Sequence, residues 1–375
     1  MNLIIPAIPL FFLLVGAEMV YAHRGGRRLH RLSDSVASLA SGVLDQVGTA
    51  LIAAFVTFTL YAWVHDTFAV ARLDPSRAWV WVAAFVGADF LFYWWHRSTH
   101  RVGVLWAGHV VHHQSDEFNL TTALRQNWVA GLSAVPFYLP LAVLGVPLAV
   151  FVPMKSLMVI YQFWIHTRVI GKLPRPVEWV MNTPSHHRVH HAINPVYVDK
   201  NYAGTFIVWD RLFGTFAPEA EAPEYGVLKP LRSWNPAWAM VEPWVHLART
   251  SASAPRRQDR LYAWIAPPEW AADPNRRADL QALYHQAKAE RYAVSMGPKT
   301  TAYVLIQFGI TVAAASAFLF LGKQLPLGWK AVFGALVFFS LASLGTLADR
   351  RPAAWRIEVL RLACVVAAGV GWVLG

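Results

Sequence analysis

Apolar residues fall in long unbroken runs, not in the alternating or amphipathic patterns of a soluble domain. Runs of spanning length lie near residues 3–22, 38–64, 78–95, 302–321, 330–347 and 356–374. Each predicts a membrane helix, because about 20 apolar residues cross the hydrocarbon core. The stretch 128–165 is also apolar, but Pro136, Pro140, Pro147 and Pro153 interrupt it and Gly145-Val146-Pro147 sits near its midpoint. Proline removes a helix hydrogen bond and glycine permits a tight turn. A hairpin with both ends on one side is therefore expected in preference to one long kinked helix. From Thr167 to Lys299 the chain is polar and rich in proline, with no Gly/Ser linker and no internal repeat. Within it, Leu280, Leu283, Tyr284, Ala287 and Tyr292 give 278–293 the spacing of a helix, suited to a membrane surface or to solvent. The pattern divides the chain into N-terminal transmembrane helices (1–80), a central region containing the hairpin (81–217), an interfacial segment (218–300) and C-terminal transmembrane helices (301–375). The fold class expected is an all-α polytopic membrane bundle with a helical cap on its cytoplasmic face.

Composition agrees: 56% of residues are hydrophobic and 15% charged, against about 25% charged in ordinary soluble domains. The net charge of +11 draws partly on His23-Arg24-Gly25-Gly26-Arg27-Arg28-Leu29-His30-Arg31, directly after the first apolar run. Cytoplasmic loops collect Lys and Arg in this way. With that loop in the cytoplasm, the third span returns the chain there before His96 and the hairpin returns it near His166. Asp349-Arg350-Arg351 falls on the same side. No nucleic-acid partner is expected, since neither a basic recognition motif nor a Cys/His finger accompanies the charge. The single cysteine, Cys364, excludes disulfides, zinc ribbons and Cys-bound iron–sulfur clusters within the chain. Residues 1–22 lack a basic leader and a small-residue cleavage site, and read as a retained helix rather than a signal peptide.

Of 15 histidines, nine lie within 96–113 and 186–191. His96 and His100 are spaced i, i+4; His109, His112 and His113, like His187, His190 and His191, are spaced i, i+3, i+4. Each set shares one helical face. These three boxes offer eight imidazoles, too many for one metal, so two ions are the natural stoichiometry. Imidazole suits zinc, copper, iron and nickel alike. Beside a membrane, a pair of irons that activates oxygen fits best, with a two-zinc hydrolase as the rival. His166, at the end of the hairpin, is a candidate ninth ligand. His186, pointing elsewhere on its helix, is a supporting residue, as are Asp89, two turns before His96, and Asp199. Asp116, Glu117 and Asp210 also flank the boxes. His23, His30, His65, His246 and His285 read as structural. No nucleotide loop, flavin motif or haem motif is present, so electrons must arrive from outside.

The pattern H-x3-H, H-x2-HH, H-x2-HH between apolar spans resembles the fatty acid hydroxylase/sterol desaturase superfamily of membrane di-iron oxygenases, and most of all its alkylglycerol monooxygenase branch. The likeness runs through Gly87–His96, Phe118–Gln126, Tyr161–Thr167, Asn182–His191, Asp199–Gly204 and Trp209–Phe216, and reaches Asp349–Pro352 between the late spans. It implies two iron ions held by His96, His100, His109, His112, His113, His187, His190 and His191, O2 as co-substrate, and hydroxylation of a membrane lipid. In the animal members it implies tetrahydrobiopterin as electron donor and the ether-linked carbon of an alkylglycerol as target. Arg101 departs from the pattern, standing where that branch has an acidic residue after the second histidine. A pterin, a ferredoxin or a cytochrome therefore remain alternative donors, and the basic cytoplasmic face would attract an acidic carrier protein or anionic lipid headgroups. Trp94, Trp95, Trp128 and Phe163 are candidate walls for the lipid. The alternatives are a sterol desaturase or a hydroxylase of acyl or ornithine lipids, and, in another class, a membrane metal-storage or transport protein.

Overall fold

The computed structural model describes residues 3–271 and 279–374. Among them the chain is helical, with two isolated β-bridges and no strand. Among the described residues six helices are long and apolar enough to cross a membrane: α1 (Ile4–Arg24), α2 (Leu32–Phe68), α3 (Ala78–Arg101) and, at the far end of the chain, Pro298–Leu321, Leu327–Ala348 and Ala354–Leu374. The protein is thus an integral, multi-pass membrane protein. The second apolar run lies inside a helix of 37 residues that passes through a π-helical turn at Thr49–Ala53.

After α3, a one-residue break at Val102 leads into α4 (Gly103–His113). The proline-rich stretch forms the hairpin that its sequence predicts. α5 (Trp128–Val143) breaks at Ala134, and α6 (Leu148–Trp164) returns. Gly145 turns the hairpin with φ +92, and a Cβ there would lie 2.1 Å from Ala71 O, so no other residue fits without a shift. The tip is tied to the loop before α3 by Val70 N donating to Val143 O (2.8 Å) and Leu73 N donating to Gly145 O (3.1 Å).

One apolar core joins the second half of α2, α3 and the hairpin, with Tyr61 stacked on Phe151 at 4.3 Å between centroids. The polar segment supplies α7 (Pro184–His190), α8 (Pro236–Ser253) and α9 (Leu280–Ala289), and the last three spans are α10, α11 and α12 in order. A second core joins the first half of α2, α8, α10 and α11. Of the surface helix expected over 278–293, Ala278 lies outside the described residues; α9, capped by Asp279, runs from Leu280 to Ala289, buries only Ala287, and stops short of Tyr292. The loops meet at one end of the bundle. There Arg31 pairs with Asp116 (2.9 Å), and Asp349 accepts from Trp234 N (2.6 Å), from Tyr292 Oη (3.1 Å) and from Ser233 Oγ.

Candidate metal centre

The same end gathers nine imidazoles. α3 stays helical through Arg101, which holds His96 and His100 on one face of its last turns. α4 places His109, His112 and His113 in its last turn and a half. α7 is a single short helix opened by Pro184, whose fixed φ suits the first helical position, and it carries His187, His190 and the capping His191. His166 stands two residues past the end of α6. His96, His100, His109, His113 and His190 form one group and His112, His166, His187 and His191 a second, the ring nitrogens of each lying within 4.8 Å of one another. The neighbours His112 and His113 belong to different groups, as do His190 and His191. Successive residues on a helix point about 100° apart, so α4 and α7 each straddle both groups.

Backbone carbonyls fix the rings. Nδ1 of His96 lies 2.7 Å from Tyr202 O, of His112 3.0 Å from Arg125 O, of His166 2.7 Å from Gln162 O and of His190 3.0 Å from Lys200 O. A carbonyl only accepts, so each Nδ1 must donate, and each Nε2 is left with a bare lone pair. Yet Nε2 of His112 and Nε2 of His166 face each other at 3.2 Å, and Nε2 of His187 is 2.9 Å from that of His166. Nε2 of His109 is 3.0 Å from Nε2 of His96. Nε2 of His100, His190 and His191 and Nδ1 of His187 have no partner although buried. Lone pairs facing one another in a dry interior are unfavourable unless a cation lies among them. Nitrogens bound to one metal at about 2.1 Å stand roughly 3 Å apart, which is the spacing found. The donor set fits one metal ion in each group.

Burial pushes His109, His113, His166, His187 and His191 well below the ordinary histidine range, helped by the neighbouring histidines. It also lowers His112 to about 4 and His190 to about 3, against the hydrogen bonds these rings donate to the carbonyls of Arg125 and Lys200. These seven therefore stay neutral at ordinary pH, the state in which imidazole binds metal.

The supporting residues sit farther out. His186 joins neither group: its Nε2 is 3.0 Å from Glu178. Asp89 is completely buried and accepts from Thr205 N (2.6 Å), Phe206 N (3.0 Å) and Trp209 Nε1 (2.9 Å). It touches no imidazole; it clamps the loop whose Tyr202 carbonyl holds His96. Asp210 secures the same loop by accepting from Tyr202 N and Ala203 N, each at 2.8 Å. Asp199 pairs with Arg101, which also reaches Glu269 (3.1 Å). Asp116 and Glu117 pair with Arg31 and Arg168. Among the remaining histidines His30 is 3.3 Å from Glu18 and His65 3.0 Å from Asp66; like His23, His246 and His285, they stand outside both groups. The carbonyl cradle had no signal in the sequence, because any residue supplies a carbonyl.

A cavity of about 310 Å³ runs from the histidines into the membrane bundle. His96 and His109 of one group and His112, His166 and His187 of the other border it, and apolar residues such as Phe11, Met158, Phe163 and Leu319 form much of its wall. Of the expected wall residues Trp95 and Phe163 line it; Trp94 packs on Phe213 instead, and Trp128 packs against Gly48.

The fatty acid hydroxylase family profile matches residues 81–215, the segment that carries all nine imidazoles. Over 362 residues, 94% of this chain and 78% of the relative, the chain is 33% identical to an alkylglycerol monooxygenase of Xenopus tropicalis. The human protein of the same name is 34% identical over 363 residues, covering 95% and 80%. An ornithine lipid hydroxylase of Rhizobium tropici is 28% identical over 149 residues, covering 39% of this chain and 45% of its own. No solved structure matches. With a third of its residues shared along almost its whole length, and with its histidine region matched by the family profile, the chain belongs to the fatty acid hydroxylase family of oxidoreductases, alongside the alkylglycerol monooxygenases.

Proposed function

We propose that this protein is a di-iron monooxygenase that uses O2 and an external reductant to hydroxylate the ether-linked carbon of an alkylglycerol-type lipid. One observation carries the reading: a single cavity joins both histidine groups to apolar walls contributed by membrane helices. His96, His100, His109, His113 and His190 would hold one iron and His112, His166, His187 and His191 the other. Bound there, iron would supply the redox chemistry that attacks the C–H bond beside the ether oxygen. The chain does the rest. Its carbonyls aim the rings, and burial of every imidazole bordering the cavity keeps bulk water from the reacting carbon. The membrane-side walls let a lipid tail lie beside the histidines without leaving an apolar medium.

Tetrahydrobiopterin, a ferredoxin and a cytochrome are the candidate donors. Arg101, already engaged by Asp199 and Glu269, stands on the surface beside the first group. The basic loop after α1, the histidines and Asp349 share one end of the bundle, which supports a cytoplasmic site by the positive-inside rule. Ionisable residues within the spans speak against a metal-transport path where they are satisfied locally: Glu358 is bonded by Arg361, Ser343 and Tyr303.

The test is purification in detergent, metal analysis, and oxygen uptake with a panel of ether, acyl and sterol lipids and the three donor types. Two irons per chain with lipid-dependent oxygen uptake and release of a fatty aldehyde are expected. Two zinc ions and no oxygen uptake with any reductant, after reconstitution with iron, would sink the proposal. An unsaturated product in place of a hydroxylated one would make the protein a desaturase.

A further inference from the structure

The cavity is not apolar throughout. Asp45 and Gln46 of α2, Asn127 just before α5 and Lys155 of α6 all border it. Acidic and basic side chains are costly inside a membrane bundle and mark function more often than packing. Gln46 Nε2 donates to Asp45 Oδ2 at 2.9 Å, which holds the pair together. The ammonium of Lys155 lies 5.1 Å from the centroid of the Tyr138 ring, another residue of the cavity wall. Asn127 is the telling one. It is 3% exposed, its Oδ1 accepts from Val129 N at 3.1 Å, and its Nδ2 has no partner. A buried amide donor left unbonded beside a cavity costs stability unless something in the cavity accepts from it.

The location matters as much as the chemistry. Arg125, two residues before Asn127, gives its carbonyl to His112. Two residues of chain span at most about 7 Å, so the amide starts close to the second histidine group. The stretch carrying it lies along α2: a Cβ on Gly42 would meet Leu124 O at 2.4 Å, and one on Gly48 would meet the Trp128 ring at 2.5 Å. Asp45 and Gln46 fall between those two contacts. One carboxylate, one ammonium and two amides sum to no net charge. Such a patch suits a neutral group bearing several hydroxyls, each able to donate and accept. A phosphate would call for net positive charge and a choline for net negative charge.

We propose that Asp45, Gln46, Asn127 and Lys155 form a subsite for the neutral polyol head of the lipid, and that the subsite determines which carbon meets the histidines. This rests on the lipid-hydroxylase reading for the identity of the ligand, though not for its test. A head anchored at Asn127 leaves the first carbons of the tail beside His112, while the rest of the tail lies along the apolar walls.

The experiment is equilibrium binding of three tritiated probes with one hexadecyl ether tail to the detergent-purified full chain. The heads are glycerol, a methyl group, and glycerol 3-phosphate. The wild type should bind the glycerol ether roughly tenfold or more tighter than the methyl ether, and no weaker than the phosphate. Asn127→Leu, Asp45→Asn and Lys155→Met should each shrink that preference while leaving methyl-ether affinity within about twofold. A wild type that binds glycerol and methyl ethers equally overturns the proposal whether or not any variant folds. A clear preference for the phosphate overturns it too, as do monodisperse variants that keep the full preference. Binding preference as expected, with no oxidation of any probe by the iron-loaded chain given O2 and each of the three donor types, supports the subsite and counts against the oxygenase reading.

Discussion

His166→Ala offers the sharpest test of how the imidazoles are shared out. His166 belongs to neither i, i+4 nor i, i+3 spacing with another histidine, yet it completes the four-membered group, with its Nε2 2.9 Å from that of His187 and 3.2 Å from that of His112. Four-ligand structural zinc sites are worth about 10–16 kcal/mol, or about 3 kcal/mol per ligand. Losing one ligand should therefore weaken that site by roughly 100-fold, with the five-membered group untouched. His186→Ala is the matched control, since that ring faces Glu178 and joins neither group. Metal per chain would be measured by mass spectrometry after equilibration with chelators of graded strength. His166→Ala should fall from two metals to one at a chelator strength that leaves the wild type full, and His186→Ala should keep both. Equal retention by His166→Ala and the wild type, or equal loss by the two variants, would refute the assignment.

Asp89→Asn should loosen the loop that holds His96: the amide NH2 cannot accept from the donors that meet the carboxylate. Metal affinity of the five-membered group should drop about 10–100-fold, read by the same chelator series, and unchanged affinity would count against the clamp. Metal-free protein should lose stability as pH falls from 6.5. The folded-state values of His112, about 4, and His190, about 3, lie below the ordinary 6.5, so the unfolded chain takes up protons first. For His112 alone this amounts to about 3 kcal/mol by pH 4, and a thermal midpoint in chelator that stays level between pH 7 and 5 would contradict it. Gly145→Ala should cost at least about 1–3 kcal/mol of backbone strain, plus the clash with Ala71 O; a detergent melting midpoint equal to wild type would show that the hairpin tip does not need its glycine.

Much of the architecture was legible because both signals involved are local. Spans need only length and apolarity, and the three boxes lie on continuous helices where spacing maps directly to a face. The structure adds what depends on tertiary contact. His112 and His113 are read as one box yet serve different groups, because His113 meets His96 and His100 of α3 while His112 meets His166 just past α6. Asp89 announced that it needed partners, but those are two backbone amides and the Trp209 indole, 116 to 120 positions away. The apolar run 38–64 hid the length of α2, which begins at Leu32 with polar residues, among them the buried Asp34 and Ser35. The cavity, and the polar patch within it, arise only when α2, the segment before α5, and α6 come together.

The hairpin carries a consequence for assembly. His112 precedes it in the chain, His166 closes it, and His187 and His191 follow it. The four-membered group therefore has no existence until both arms of the hairpin are in place and the polar segment has returned over them. The first group waits as well, for His190. Neither group can therefore form on the first three spans alone, and both are complete in the chain before the last three spans begin at Pro298.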